Sequence, residues 1–185
     1  FVITIDVTGP NSPTVGGATP TNDTTPTWTW TSGGGGSGQY RVSFVSDFSV
    51  VTTVSALSYT PSIALDTGSQ TLYVQEKDDV GNWSASGFHA IVIDTSLPTS
   101  PTVSSSPDIT NSPNPVWTWA TGGGGSGYQY SLDGAAWVET TSSTLSFTAS
   151  ALSNGSHTLV VQEKNSAGTW SGSGSKTITV DTATP

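Results

Sequence analysis

One block of sequence recurs and constrains everything else. Thr71–Ser84 reads TLYVQEKDDVGNWS, and Thr158–Ser171 reads TLVVQEKNSAGTWS. Within each copy, Leu72 and Val74, or Leu159 and Val161, alternate with more polar neighbours. That period of two marks a half-buried strand. A carboxylate follows at the end of the strand, Glu76 or Glu163. Then come a short polar loop with a glycine and a tryptophan, Trp83 or Trp170. A chain that repeats such a block must fold as a repeated unit.

Other landmarks recur at a spacing of roughly 88 residues. They are the Ile-Asp or Val-Asp ends at Asp6, Asp94 and Asp181, the pairs Trp28/Trp30 and Trp117/Trp119, and the GGGGSG runs from Gly33 and Gly122. This spacing divides the chain into residues 1–6, the last strand of a preceding repeat, then domains over 7–94 and 95–181, with 182–185 opening the next linker. No helical period is present. In the first unit, strands are expected near Pro13–Ala18, Thr27–Thr31, Gln39–Val45, Phe48–Ser55, Leu57–Thr60, Gln70–Lys77 and Phe88–Asp94. Seven short strands per unit predict an all-β protein of two tandem seven-stranded immunoglobulin-like β-sandwich domains. The copies diverge most in the middle, where YQYSLDGAAWV carries Asp133-Gly134, a two-residue hairpin signal that RVSFVSDFSVV lacks.

Composition narrows the partners. Thirteen Asp and Glu stand against four Lys and Arg, a net charge of −9. No basic stripe is available for a nucleic acid. No run approaches the roughly 18 apolar residues of a membrane-spanning helix. With no cysteine, disulfide and thiol chemistry are excluded. An acidic, Thr/Ser/Gly-rich chain of this kind is compatible with secretion.

The strings TPTWTWTSGGGGSG, YSLDGAAW, TLYVQEKDDVGNWS and IDTSLP resemble the bacterial Ig-like repeats strung in many copies along large surface adhesins and other extracellular proteins. The resemblance spans essentially the whole chain. It implies a seven-stranded sandwich, head-to-tail stacking on neighbouring repeats of the same chain, an extracellular or cell-surface location, and calcium at the junctions. Terminal domains in such arrays often hold the ligand, so a host-surface or biofilm partner is expected elsewhere in the parent. A domain of this kind spans about 35 Å along its strands.

Three groups of residues carry the chemical expectations. In an Ig-like sandwich the loops after the second and sixth strands lie where the chain enters. That geometry would bring Asp6 near Glu76, Asp78 or Asp79, and Asp94 near Glu163 and Asn165. Such oxygens are hard ligands suited to Ca²⁺. The other reading of the linker acids is strand-end capping through an Asx-turn. The paired tryptophans share one strand face and are expected in the core. Trp83, Trp137 and Trp170 fall in loops, and are the candidates for contact with a glycan or host protein. The glycine run would let the Trp83 or Trp170 indole lie on bare backbone. It lacks the Lys-Ser/Thr and the helix of a phosphate-binding loop. Neither histidine sits in a triad-like or zinc-like setting. No enzyme activity is expected. A self-assembling reading, with Phe1–Asp6 completing a neighbour's sheet, is the further alternative.

Overall fold

The computed structural model describes residues 5–183. The chain divides into two compact units, Phe1–Thr95 and Ser96–Pro185. Among the described residues, each is built of strands joined by turns and loops, with no helix.

The first domain holds β1 (Thr14–Gly16), β2 (Trp28–Thr31), β3 (Gln39–Ser43), β4 (Thr52–Val54), β5 (Ser58–Tyr59), β6 (Gly68–Lys77) and β7 (Gly87–Ile93). They form a three-stranded sheet in the order β1-β2-β5 and a four-stranded sheet in the order β4-β3-β6-β7. The β3 strand stops at Ser43 because Val45–Phe48 closes a turn, with the Phe48 N–H donating to Val45 O at 3.1 Å. The strand expected from Phe48 shortens accordingly to three residues.

The second domain holds β8 (Thr102–Ser105), β9 (Ile109–Thr110), β10 (Val116–Ala120), β11 (Gly127–Leu132), β12 (Val138–Thr141), β13 (Ser146–Thr148), β14 (Gly155–Lys164) and β15 (Gly174–Val180). The sheets run β8-β10-β13 and β12-β11-β14-β15-β9. The extra β9 pairs parallel to β15. The first domain has only a single bridge there, Thr21 with Ile93. Asp133 and Gly134 take φ of 51° and 77°, as the tight turn after β11 requires.

Phe1–Thr4 lie outside the described residues, as do Thr184 and Pro185. Of the strand expected at the start of the chain, Ile5 and Asp6 are described, and both are exposed and in no strand. Asp6 Oδ1 instead accepts the backbone N–H of Thr8 at 3.0 Å and its hydroxyl at 2.7 Å, an Asx-turn.

Alternation explains the two cores. Trp28 and Trp30 point inward from β2 while Thr29 and Thr31 face out. Leu72 and Val74 from β6, Tyr40 and Val42 from β3, and Ile91 and Ile93 from β7 close the first core. Trp117, Trp119, Tyr128, Leu159, Val161 and Ile178 make the second. Trp28 Nε1 donates to His89 O at 3.1 Å and Trp117 Nε1 to Lys176 O at 2.9 Å. Trp28 and Trp117 therefore bury their rings and tie one sheet to the other, while the buried indole N–H groups of Trp30 and Trp119 have no hydrogen-bond partner among the described residues.

Candidate functional site

The inward parity of β6 does not end at Val74. Glu76 follows on the same face and is 1% exposed, and Glu163 on β14 is fully buried. A buried carboxylate is costly unless donors surround it, and here they do. The Ser32 hydroxyl lies 2.9 and 2.7 Å from the two oxygens of Glu76, and the Tyr40 hydroxyl donates to Oε1 at 3.1 Å. Burial pushes the Tyr40 phenol up, and its bond to Glu76 adds to this, so the ring keeps its proton and donates.

Glu163 meets a different set of donors. Thr121 Oγ1 donates to Oε1 at 2.6 Å, Gly125 N to the same oxygen at 2.6 Å, and Gly122 N to Oε2 at 2.6 Å. Burial alone would raise this carboxyl. The hydroxyl and the amides of Gly122, Gly124 and Gly125 outweigh it and hold the group below its ordinary value of 4.5. The difference has a simple source. The stretch between Trp30 and Tyr40 is one residue longer than that between Trp119 and Tyr128, so the same glycine run presents its amides differently.

The glycine loop therefore closes over the carboxylate, and the expectation that it carries an indole is corrected. A Cβ on Gly36 would overlap the Glu76 carboxyl group. The loop also grips the incoming chain. Asn11 N donates to Gly34 O at 3.2 Å, and Asn11 Nδ2 to Gly33 O at 3.1 Å. A Cβ on Gly33 would strike Asn11 O, and one on Gly122 would strike Thr99 O. The return loop joins the cluster from the other side. Ser84 N donates to Glu76 O at 2.8 Å and Ser84 Oγ accepts from Glu76 N at 3.0 Å. Ser171 repeats both bonds on Glu163.

The remaining acids fall around this end. Asp78 Oδ1 accepts the N–H groups of Val80, Gly81 and Asn82 at 3.0, 2.6 and 2.8 Å. Burial would raise the Asp78 carboxyl, but the bonds from Asn82, Gly81 and Val80 together hold it low. Asn82 Nδ2 reaches Asp78 Oδ2 at 2.9 Å and the Asp6 carbonyl at 3.1 Å. Asn165 takes both roles in the second domain, accepting Thr169 N at 2.8 Å and donating to Ser96 O at 3.1 Å. Asp79 is exposed and lines a polar recess with Lys77 and Ser37. Asp94 is half-buried, and its N–H donates to Thr21 O at 2.9 Å. Among the described residues, no group of three or more His, Asp or Glu side chains could hold a metal ion. The hydrogens aimed at Glu76 and Glu163 take up part of the lone-pair capacity that a cation would draw on.

The loop tryptophans differ from one another. Trp83 packs under the Arg41 guanidinium, 4.5 Å from its ring centroid, and Arg41 also lies 4.8 Å from the Phe48 ring. Trp170 carries Lys164 at 4.7 Å. Both rings are engaged by cations of their own domain. Trp137, just before β12, is 44% exposed.

No family model and no curated protein matches the chain. Solved structures are similar. The FN1–FN3 domains of chicken CNTN1 align over 93% of this chain and 68% of that chain, at 22% identity and a TM-score of 0.53. The fibronectin(III)-like modules of Clostridium thermocellum CbhA align over 93% of both chains, at 14% identity and the same TM-score of 0.53. The fold is thus an all-β, immunoglobulin-like sandwich. More narrowly, it is similar to the fibronectin type III-like arrangement, with three strands facing four in the first domain.

Proposed function

We propose that the chain is a non-enzymatic spacer: two tandem repeats of a bacterial surface or secreted adhesin, projecting a distal binding domain outside the cell. The observation that supports this most is the duplicated buried carboxylate. Both domains use it to bind their glycine loop and return loop together beside the incoming chain, and neither opens it to a substrate. A site that serves catalysis keeps its acid accessible. Single-molecule stretching of the chain between handles tests the spacer role. Two unfolding events of nearly equal contour length are expected. Extension without force peaks would sink the reading.

Calcium stiffening belongs to the same proposal in a narrower form. With Glu76 and Glu163 occupied by their own donors, an ion would draw on the exposed acids Asp6 and Asp79. Melting in EDTA against excess Ca²⁺ decides it, and an unchanged melting temperature removes the metal.

The exposure of Trp137 favours one second reading, a contact with a glycan or host protein. A glycan array probed with the chain and with Trp137→Ala tests it. Equal signals from the two remove the reading.

A further inference from the structure

The four basic residues of the chain are treated differently in the two domains. In the second, each lysine has a carboxylate beside it, Lys164 with Glu139 at 3.4 Å and Lys176 with Asp108 at 3.0 Å. In the first, Arg41 and Lys77 have no carboxylate within ion-pair reach among the described residues. They converge instead on one ring, Trp83, at 4.5 and 5.9 Å from its centroid. The acids next to Lys77 in sequence do not pair with it. Asp78 turns Oδ1 onto its own loop and Oδ2 onto Asn82. Asp79 shares an open recess with Lys77 but makes no ion pair with it. Two cations left without counter-charges at one spot, in a protein of net charge −9, mark a place that can hold an anion.

Arg41 is prepared for that anion. It lies on the outward face of β3, opposite Gln75 on β6. Gln75 Oε1 accepts Arg41 Nε at 2.7 Å, and the guanidinium lies over Trp83 and, at 4.8 Å, over Phe48. One hydrogen bond and two rings thus fix the group, while Nη1 and Nη2 have no hydrogen-bond partner among the described residues. A held guanidinium with free terminal N–H groups is a fork that grips a carboxylate through two bonds. Tyr73, the diagonal neighbour of Arg41 across the β3–β6 pair, is within about 8 Å. It packs on Phe88 with ring centroids 5.8 Å apart, and Phe88 is 65% exposed. Both β3 and β6 are interior strands of their sheet, so their backbone groups are spent in the ladders and offer nothing to an extended peptide. A sugar needs no such bonds. Its ring lies on an aromatic face while its carboxylate meets the fork. The second domain lacks these parts. Its matching residues are Gln129, Val160, Gln162 and Ser175, and Gln129 Nε2 donates to Gln162 Oε1 at 2.6 Å.

We infer that the outward face of the first domain around Arg41 binds a carboxylated sugar unit of an acidic polysaccharide. The carboxylate sits on Nη1 and Nη2 of Arg41, Lys77 adds its charge, and the sugar ring rests against Tyr73 and Phe88. This site is separate from Trp137 and does not depend on a contact there.

The test is an NMR titration of the full chain with trigalacturonate and with a mannuronate trimer, each against its methyl ester as the neutral isostere. Saturable shifts are expected at the Arg41 Nε–H, the Trp83 indole and the Phe88 ring, with none at Trp170. The ester should bind about tenfold more weakly than the acid. Arg41→Gln copies the Gln129–Gln162 pair of the second domain, which keeps the sheet intact, and should weaken binding by a similar factor. Phe88→Ser, which copies Ser175, should weaken it about threefold. Trp137→Ala should bind as the parent does. Absence of saturable shifts with both trimers would overturn the proposal, as would equal binding of acid and ester or an unaltered titration in Arg41→Gln. Equal shifts from acetate at the same concentration, or tighter binding of a glutamate-rich peptide, would overturn the assignment to a sugar.

Discussion

The two domains bury the same glutamate at the same strand position and satisfy it by different means. In the first, hydroxyl groups carry the load, from Ser32 and Tyr40. In the second, the main chain of the glycine loop does so with Thr121. A hydroxyl can rotate and become an acceptor, whereas an amide N–H cannot. The second domain is thus committed to a carboxylate and the first is not. One residue of loop length separates these outcomes, which teaches that repeats can keep a buried charge while changing the groups that hold it.

The comparison is tested most sharply by Glu163→Gln. Its amide hydrogens would face backbone donors, and a loss of about 2–4 kcal/mol is expected in the second domain. Glu76→Gln should cost the first domain only about 1–2 kcal/mol, because Ser32 and Tyr40 can turn. Domain-resolved hydrogen exchange at β6 and β14 reads both, and equal losses would break the contrast. Gly36→Ala comes next, since a methyl group has no room against Glu76. An overpacking cost of about 1–3 kcal/mol is expected, confined to the first domain.

Acid should loosen the second domain through Glu163. The folded Glu163 carboxyl lies below its ordinary 4.5. Its contribution is therefore complete above that value and lost as pH falls through the folded one. The β14 amides should lose protection across that window, measured by exchange at stepped pH.

The smallest effect concerns His157. Its Nδ1 faces Asp133 Oδ2 at 2.7 Å and its Nε2 faces Ser153 O at 2.9 Å. Both partners are acceptors, so the two bonds form together only when the ring is an imidazolium. The bond to Asp133 is the main cause that raises it above 6.5. That stability is complete below 6.5 and fades as pH rises through the folded value. In the first domain Gln70 takes this place and donates to Asp66 O at 3.0 Å, with no charge to lose. His157→Gln should flatten the alkaline slope of the second domain at a cost under about 1 kcal/mol, read as melting temperature against pH.

Much of this was legible in the residues. The alternation of TWTWT and TLYVQEK predicts the inward tryptophans and the long sixth strand, and Asp133-Gly134 predicts its turn. The buried glutamates were open to the same logic. Leu72, Val74 and Glu76 share one parity, and only the habit of placing acids outside hides the third member. A serine or threonine two residues after the tryptophan pair, Ser32 or Thr121, followed by glycines, was the second clue. The one-residue difference in loop length is visible too, but its effect on amide direction is not, because that depends on φ values at several glycines.

The clasp of glycine loop, glutamate and incoming segment also restricts where these domains can diversify. Every change at that pole risks a methyl group against a carbonyl or a donor lost from a carboxylate. The opposite pole, with the Val45–Phe48 turn and the Asp133-Gly134 turn, holds no buried carboxylate, only the exposed Asp133 with its bonds to His157 and Thr158, and it is there that the copies have drifted apart. An engineer grafting recognition loops onto this scaffold should work at that free pole and leave the glycines alone.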